Sequence, residues 1–256
     1  MLIFREGLSG EKFIQRYVEY HFRMHKNVVL GIVGKSGQGK SYSACRIAML
    51  VDPKFDPETH IIYHAYLLNQ KIEEAIKNHY RVLILDEAHV TLPARTWYEF
   101  AQRSIDMVLN TFRALGNVLF IVVTPNFSKI DKSIRELFDL YAVAWRYSVK
   151  KPYIDLFEVT FPYYDLIHPV PKLKKIKVRV KQKDGNYKTI IIKKIRIGYI
   201  GDNIAEKYEK ISKKFKADLL KEQIEMTFST MSKKECKLIE KKLKEGEEDG
   251  MDKTRQ

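Results

Sequence analysis

Val28-Val29-Leu30-Gly31-Ile32-Val33 runs directly into Gly34-Lys35-Ser36-Gly37-Gln38-Gly39-Lys40-Ser41, and Tyr42-Ser43-Ala44-Cys45-Arg46-Ile47-Ala48 follows. The first stretch reads as an apolar strand and the last can start a helix. The middle matches G-x-x-x-x-G-K-[ST] without a break. Gly34, Gly37 and Gly39 let the backbone curl so that its N–H groups close on phosphate oxygens. The helix starting near Lys40 turns its positive end toward the same anion. Lys40 is placed to reach the β and γ phosphates, and the Ser41 hydroxyl to ligate Mg²⁺. Residues Gly34, Lys35, Ser36, Gly37, Gln38, Gly39, Lys40 and Ser41 are therefore the expected binding loop for a nucleoside triphosphate, ATP in the first instance.

A second stretch supplies what this loop lacks. Leu83-Ile84-Leu85 is apolar throughout, as a strand covered on both faces is, and Asp86-Glu87 follow it. A carboxylate at the end of a buried strand can hold the Mg²⁺ shell, and its neighbour can orient or deprotonate an attacking water. Asp86 is the expected metal residue and Glu87 the expected catalytic one. Open α/β sheets gather their ligands at such strand ends.

The chain has 256 residues, 45% of them hydrophobic, enough for one α/β domain with an appendage and a large core. No run approaches the roughly 20 apolar residues that span a bilayer, and no secretion signal is expected from the residues at the N-terminus. Cys45 and Cys236 are the only cysteines, far apart, so neither a disulfide framework nor a metal site is expected. The expected compartment is the cytoplasm. A net charge of +14 points to a polyanionic partner, nucleic acid before membrane.

Residues 11–26 place Phe13, Ile14, Tyr17, Val18 and His21 at helical spacing. Further strands are expected at 60–64, 82–85, 117–124 and 141–145, with helices at 41–51, 67–78, 98–115 and 131–138. This alternation predicts an α/β fold, a mainly parallel P-loop NTPase sheet flanked by helices. After Lys150 the pattern changes. Tyr153 to Phe161 reads as a strand, and Ile176, Val178 and Val180 alternate with Lys177, Arg179 and Lys181 up to a turn at Asp184-Gly185. Tyr187 to Ile197 then runs back. The result is a C-terminal β-hairpin with one apolar and one basic face, followed from Asn203 by a charged helix and tail. The expected division is a helical segment at 1–26, the ATPase core at 27–150, the β-rich extension at 151–202 and the charged helix and tail at 203–256.

The phosphate loop, the Asp86-Glu87 pair and the segment from Phe112-Arg113-Ala114-Leu115-Gly116 to Thr124 resemble the ATPases with a catalytic glutamate and an extra central strand. Within these the chain is most similar to the FtsK/HerA group of DNA pumps and the related Zot-like proteins of viruses and plasmids. Pro93-Ala94-Arg95-Thr96-Trp97 resembles the Zot-like group. The match spans residues 25–148, specific in the loop and the Asp-Glu pair and looser beyond. It implies a γ-phosphate sensor at the tip of the strand ending in Thr124. Many members have Gln next, where this chain has Pro125, so sensing falls to Thr124 or Asn126. The resemblance makes Arg113 the candidate arginine finger, with Arg103, Arg135 and Arg146 as rivals, and implies a homo-oligomer, a hexameric ring being the family norm. Asp86-Glu87-Ala88-His89 also spells the signature of the DEAH helicases. Those need a second motor domain of similar size, so His89 is expected to be structural or to contact a site residue from behind.

The function these features imply is an ATP-driven motor on DNA, in translocation or packaging, encoded by a mobile element. Lys177, Arg179, Lys181, Lys193, Lys194 and Arg196 are candidate contacts to the backbone of duplex DNA, without sequence readout. Two alternatives stand beside it. One is a replication initiator or helicase loader of the AAA+ kind, which usually carries a helical lid where strands are expected here. The other is a virion-assembly ATPase of the Zot kind, with a protein or membrane partner.

Overall fold

The protein's computed structural model describes residues 3–5, 9–64, 67–86, 117–126, 137–145, 150, 152–160, 172–192 and 194–230. The expected helices at 98–115 and 131–138 lie wholly or mostly outside them. Two compact units divide the chain, Met1–Glu209 and Lys210–Gln256.

The first unit is built on strands β2 (Val28–Val33), β3 (Ile61–Ile62), β4 (Val82–Leu85), β5 (Leu119–Thr124) and β6 (Leu140–Trp145). They run parallel in the order β6-β2-β5-β4-β3. Every residue of β2, β4 and β5 is buried, which is why each is an apolar run, up to Thr124 at the end of β5, instead of an alternation. β5 lies between the strand that feeds the phosphate loop and the strand that ends at Asp86, so the expected extra central strand is present.

Helix α1 (Gly10–Arg23) starts at Ser9, whose side chain accepts from the Lys12 N–H, and buries Phe13, Ile14, Tyr17, Val18 and Phe22. Helix α2 (Lys40–Val51) follows the loop and lies against β2, β4 and β5. Helix α3 is the short turn Pro57–His60, and α4 spans Leu68–Asn78. Leu68, Ile72 and Ala75 of α4 pack with Val29, Leu83, Leu85, Phe120 and Val122. The neighbouring residues Leu30, Ile84 and Ile121 point to the other face, where α2 sits. Arg46 of α2 donates to Glu11 of α1 at 2.9 and 3.1 Å, and Glu11 also accepts from the Gly198 N–H at 2.7 Å. Burial alone would raise the Glu11 pKa, but Arg46 and this amide hold it below the ordinary value. The clamp's contribution is thus present at neutral pH and is lost as acidity rises through that lowered pKa.

A ten-stranded sheet results, because the later strands continue the core sheet. β7 (Tyr153–Thr160) pairs antiparallel with β6. β8 (Lys172–Lys181) pairs with β7, with β9 (Tyr187–Ile192), and in parallel with β1 (Ile3–Arg5). The expected hairpin is β8–β9, closed around Asp184-Gly185, with Ile176, Val178 and Val180 buried and Lys177, Arg179 and Lys181 exposed. Its return arm is shorter than expected. β10 (Lys194–Arg196) leaves β8 and pairs antiparallel with β7. The switch leaves Ile195 buried beside Gly10, at the start of α1. The expected strand at 60–64 is likewise reduced to two residues. Asp56 caps α3 through the Glu58 N–H, with Pro57 in the first turn, and this takes His60 into the helix. Helix α5 (Asp202–Thr230) is the expected charged helix. Among the described residues no helix is long and apolar enough to cross a membrane.

Leu83 is fully buried at the centre of β4. Leu83→Ala is expected to cost about 2–5 kcal/mol, read from the denaturant midpoint of unfolding.

Candidate nucleotide site

The phosphate loop, Asp86 and Thr124 stand together at the carboxyl ends of β2, β4 and β5. Val33 pairs with Thr124 across the β2–β5 ladder, and Leu85 pairs with Val122 across β4–β5. The loop's form follows from its glycines. Gly39 caps α2 at φ 77°, a left-handed conformation that costs a side-chain-bearing residue energy. A Cβ on Gly34 would lie 2.9 Å from the Ala144 carbonyl oxygen of β6, so the chain passes that strand only as glycine.

Within the loop, the Lys35 N–H donates to Gln38 Oε1 at 2.8 Å and Lys40 Nζ donates to the Lys35 carbonyl at 3.0 Å. An amide oxygen and an ammonium of the chain itself thus brace the curl that a phosphate would enter. Lys35, Ser36 and Gly37 are exposed, so the loop is open to solvent, and α2 directs its first turn at it.

The Ser41 hydroxyl donates to Asp86 Oδ1 at 3.1 Å. One bond therefore joins the first turn of α2 to the end of β4, across 45 residues of sequence. Asp86 is 1% exposed, and a buried carboxylate needs donors to remain charged. Its other oxygen, Oδ2, accepts from the Tyr208 hydroxyl of α5 at 3.0 Å. Ser41 and Asp86 offer oxygen donors, the type Mg²⁺ takes while keeping much of its shell as water and phosphate oxygens. Among the described residues no group of three or more His, Cys, Asp or Glu could hold a metal unaided. Burial first, and then the charge of Asp86, push the Cys45 thiol well above its usual range, so Cys45 is an inert packing residue.

Thr124 is 2% exposed, and its Oγ1 has no hydrogen-bond partner among the described residues. A buried hydroxyl without a partner is costly, and this one stands at the tip of the strand between loop and carboxylate. Asn126, two residues on, is exposed. Glu87, His89, Arg113, Arg103, Arg135, Arg146 and Lys193 lie outside the described residues. Sequence reading missed Tyr208. The hint was there in Ala205 and Tyr208, buried positions three apart in a helix otherwise read as charged.

The zonular occludens toxin (Zot) family model matches residues 46–190, more than half of the chain. The chain belongs to the Zot family. The matched span starts just past the phosphate loop and takes in β3 to the hairpin, so the loop is an independent mark on this Zot-family chain. No curated protein sequence matches it. Among solved structures, the N-terminal domain of zonular occludens toxin from Neisseria meningitidis is similar at a TM-score of 0.34 and 13% identity, over 59% of this chain and 95% of that one. PCH-2 of C. elegans is similar at 0.32 and 12%, over 55% of this chain and 44% of that one. Likenesses this distant add nothing to the family match.

Proposed function

We propose that this Zot-family protein is an ATP-hydrolysing motor that acts on DNA for a mobile genetic element. The observation that carries the hydrolase part is the 3.1 Å bond from Ser41 to Asp86, which joins the loop's hydroxyl to the carboxylate after β4. Residues Gly34 to Ser41 bind the triphosphate, with Lys40 swinging from the Lys35 carbonyl to the β and γ oxygens. Ser41 and Asp86 hold Mg²⁺, which neutralises phosphate charge when bound. Glu87 takes the proton of the attacking water. Thr124, with its unmet hydroxyl, or Asn126 senses the γ phosphate, and Arg113 reaches a neighbouring subunit's site in a homo-oligomeric ring.

The core at 27–150 does the chemistry in this reading, and the extension at 151–202 carries the contacts to DNA. Lys177, Arg179 and Lys181 are exposed on one face of β8, suited to phosphate contact without base readout. The segments at 1–26 and 203–256 flank them, and the site of action is the cytoplasm. Strands β7 to β10 follow the core where an AAA+ initiator would have its helical lid, which disfavours that alternative. Membership of the Zot family favours a second reading, a virion-assembly ATPase whose partner is protein or membrane.

ATP turnover measured with duplex DNA, single-stranded DNA or none, beside the oligomeric state by light scattering, tests the proposal. Stimulation by duplex and a ring-sized assembly are the expected results. Turnover indifferent to every DNA would favour the assembly reading, and absence of turnover under all conditions would refute both.

A further inference from the structure

We infer that Tyr208 is a positioning residue of the magnesium site, holding the Asp86 carboxylate in the orientation that Ser41 and the cation require. The inference rests on the nucleotide reading above and adds to it a residue from far outside the nucleotide loop and its partner strand. The Tyr208 hydroxyl donates to Asp86 Oδ2 at 3.0 Å while Ser41 donates to Oδ1 at 3.1 Å. With one hydroxyl on each oxygen, the plane of the carboxylate is set from two sides. Tyr208 is 7% exposed, and a tyrosine buried that far needs a partner for its O–H.

The start of α5 is fixed by three consecutive side chains, so the phenol is not free to wander. Lys207 Nζ bonds Asp56 Oδ2 at 2.6 Å, at the cap of α3. Glu209 accepts from the Tyr42 hydroxyl at 3.1 Å, and the Tyr42 and Tyr208 rings meet edge to face at 5.7 Å. Tyr42 directly follows Ser41, so α5 touches both members of the Ser41–Asp86 pair, one directly and one through its neighbour. A carboxylate oxygen has room for more than one donor, so the phenol leaves Asp86 able to accept from the cation's water shell.

The test uses the full-length chain and a fluorescent ATP analogue, titrated in excess Mg²⁺ and in EDTA. Tyr208→Phe keeps the ring and removes only the hydroxyl. It is expected to weaken binding in Mg²⁺ by about tenfold, as loss of a hydrogen bond to a charged group does, and to leave binding in EDTA unchanged. Half-saturation by Mg²⁺ should move upward by a similar factor. In an Asp86→Asn background the same change should add nothing, because the two residues act as one unit. Tyr42→Phe, which removes one tie on α5 but keeps the Asp86 bond, should change the Mg²⁺ response less than Tyr208→Phe does. Equal losses in Mg²⁺ and EDTA, full additivity with Asp86→Asn, or an equal effect of Tyr42→Phe would each overturn the inference. A wild-type chain that binds no nucleotide would sink the underlying reading and this inference with it. A wild type whose binding responds to Mg²⁺, beside an unaffected Tyr208→Phe, would sink the inference alone.

Discussion

Lys40→Ala is expected to lower affinity for ATP by about a hundredfold while leaving the fold intact. Removing one partner of a hydrogen-bonded charge pair costs about 2–5 kcal/mol when the other is left uncompensated, and the proposed site gives the Lys40 ammonium to the triphosphate tail. Folding is affected far less. Without nucleotide, Lys40 Nζ donates to the Lys35 carbonyl at 3.0 Å, and Lys35 is exposed, so water can take over that acceptor. The melting temperature without ligand should therefore shift by a degree or two at most, while the stabilisation by added ATP disappears. Wild-type affinity in the variant, by titration with a fluorescent analogue, would remove the phosphate-loop assignment altogether.

The second large effect is expected on rate instead of binding. Glu87→Gln preserves size and removes the carboxylate to which the proposed mechanism gives the proton of the attacking water. Turnover should fall by about a hundredfold or more, the usual size of a general-base loss. Affinity for ATP should stay within about twofold, because the loop and Ser41 are untouched. Single-turnover measurement separates the two parameters, and a chain that traps ATP without hydrolysing it is the expected phenotype. Normal turnover would transfer the base role to another residue.

Much of this architecture was legible in the residues. Val28–Val33 and Val82–Leu85 are unbroken apolar runs and Leu119–Thr124 is apolar up to its last residue, and this composition announces strands buried on both faces. The loop was legible because glycine, lysine and serine at those spacings have a mechanical reason to be there. Where the chain turns back was harder to see. Tyr187 to Ile197 is rich in isoleucine throughout, so nothing in the pattern marks the point near residue 193 where it leaves β8 for β7. After the switch Ile195 is buried against Gly10 of α1, a contact between elements far apart in the sequence. The isoleucines after His60 suggest a strand there, whereas the Asp56-Pro57 cap takes His60 into the helix. Tyr208 was out of reach for a similar reason: its partner Asp86 lies 122 residues earlier, and no local pattern encodes so distant a contact.

The place of β5 has a consequence of its own. One strand's width on either side of it sets the loop strand and the carboxylate strand about 10 Å apart. That gap is held by the ladder Val28–Val33 with Leu119–Thr124 on one flank and Val82–Leu85 with Leu119–Val122 on the other. A slip of β5 by a single residue would present Val123 at the tip and turn the threonine hydroxyl to the opposite face. The middle strand thus works as a ruler, and mutations that loosen its grip on either flank should spoil phosphate chemistry without touching a single residue that meets the ligand.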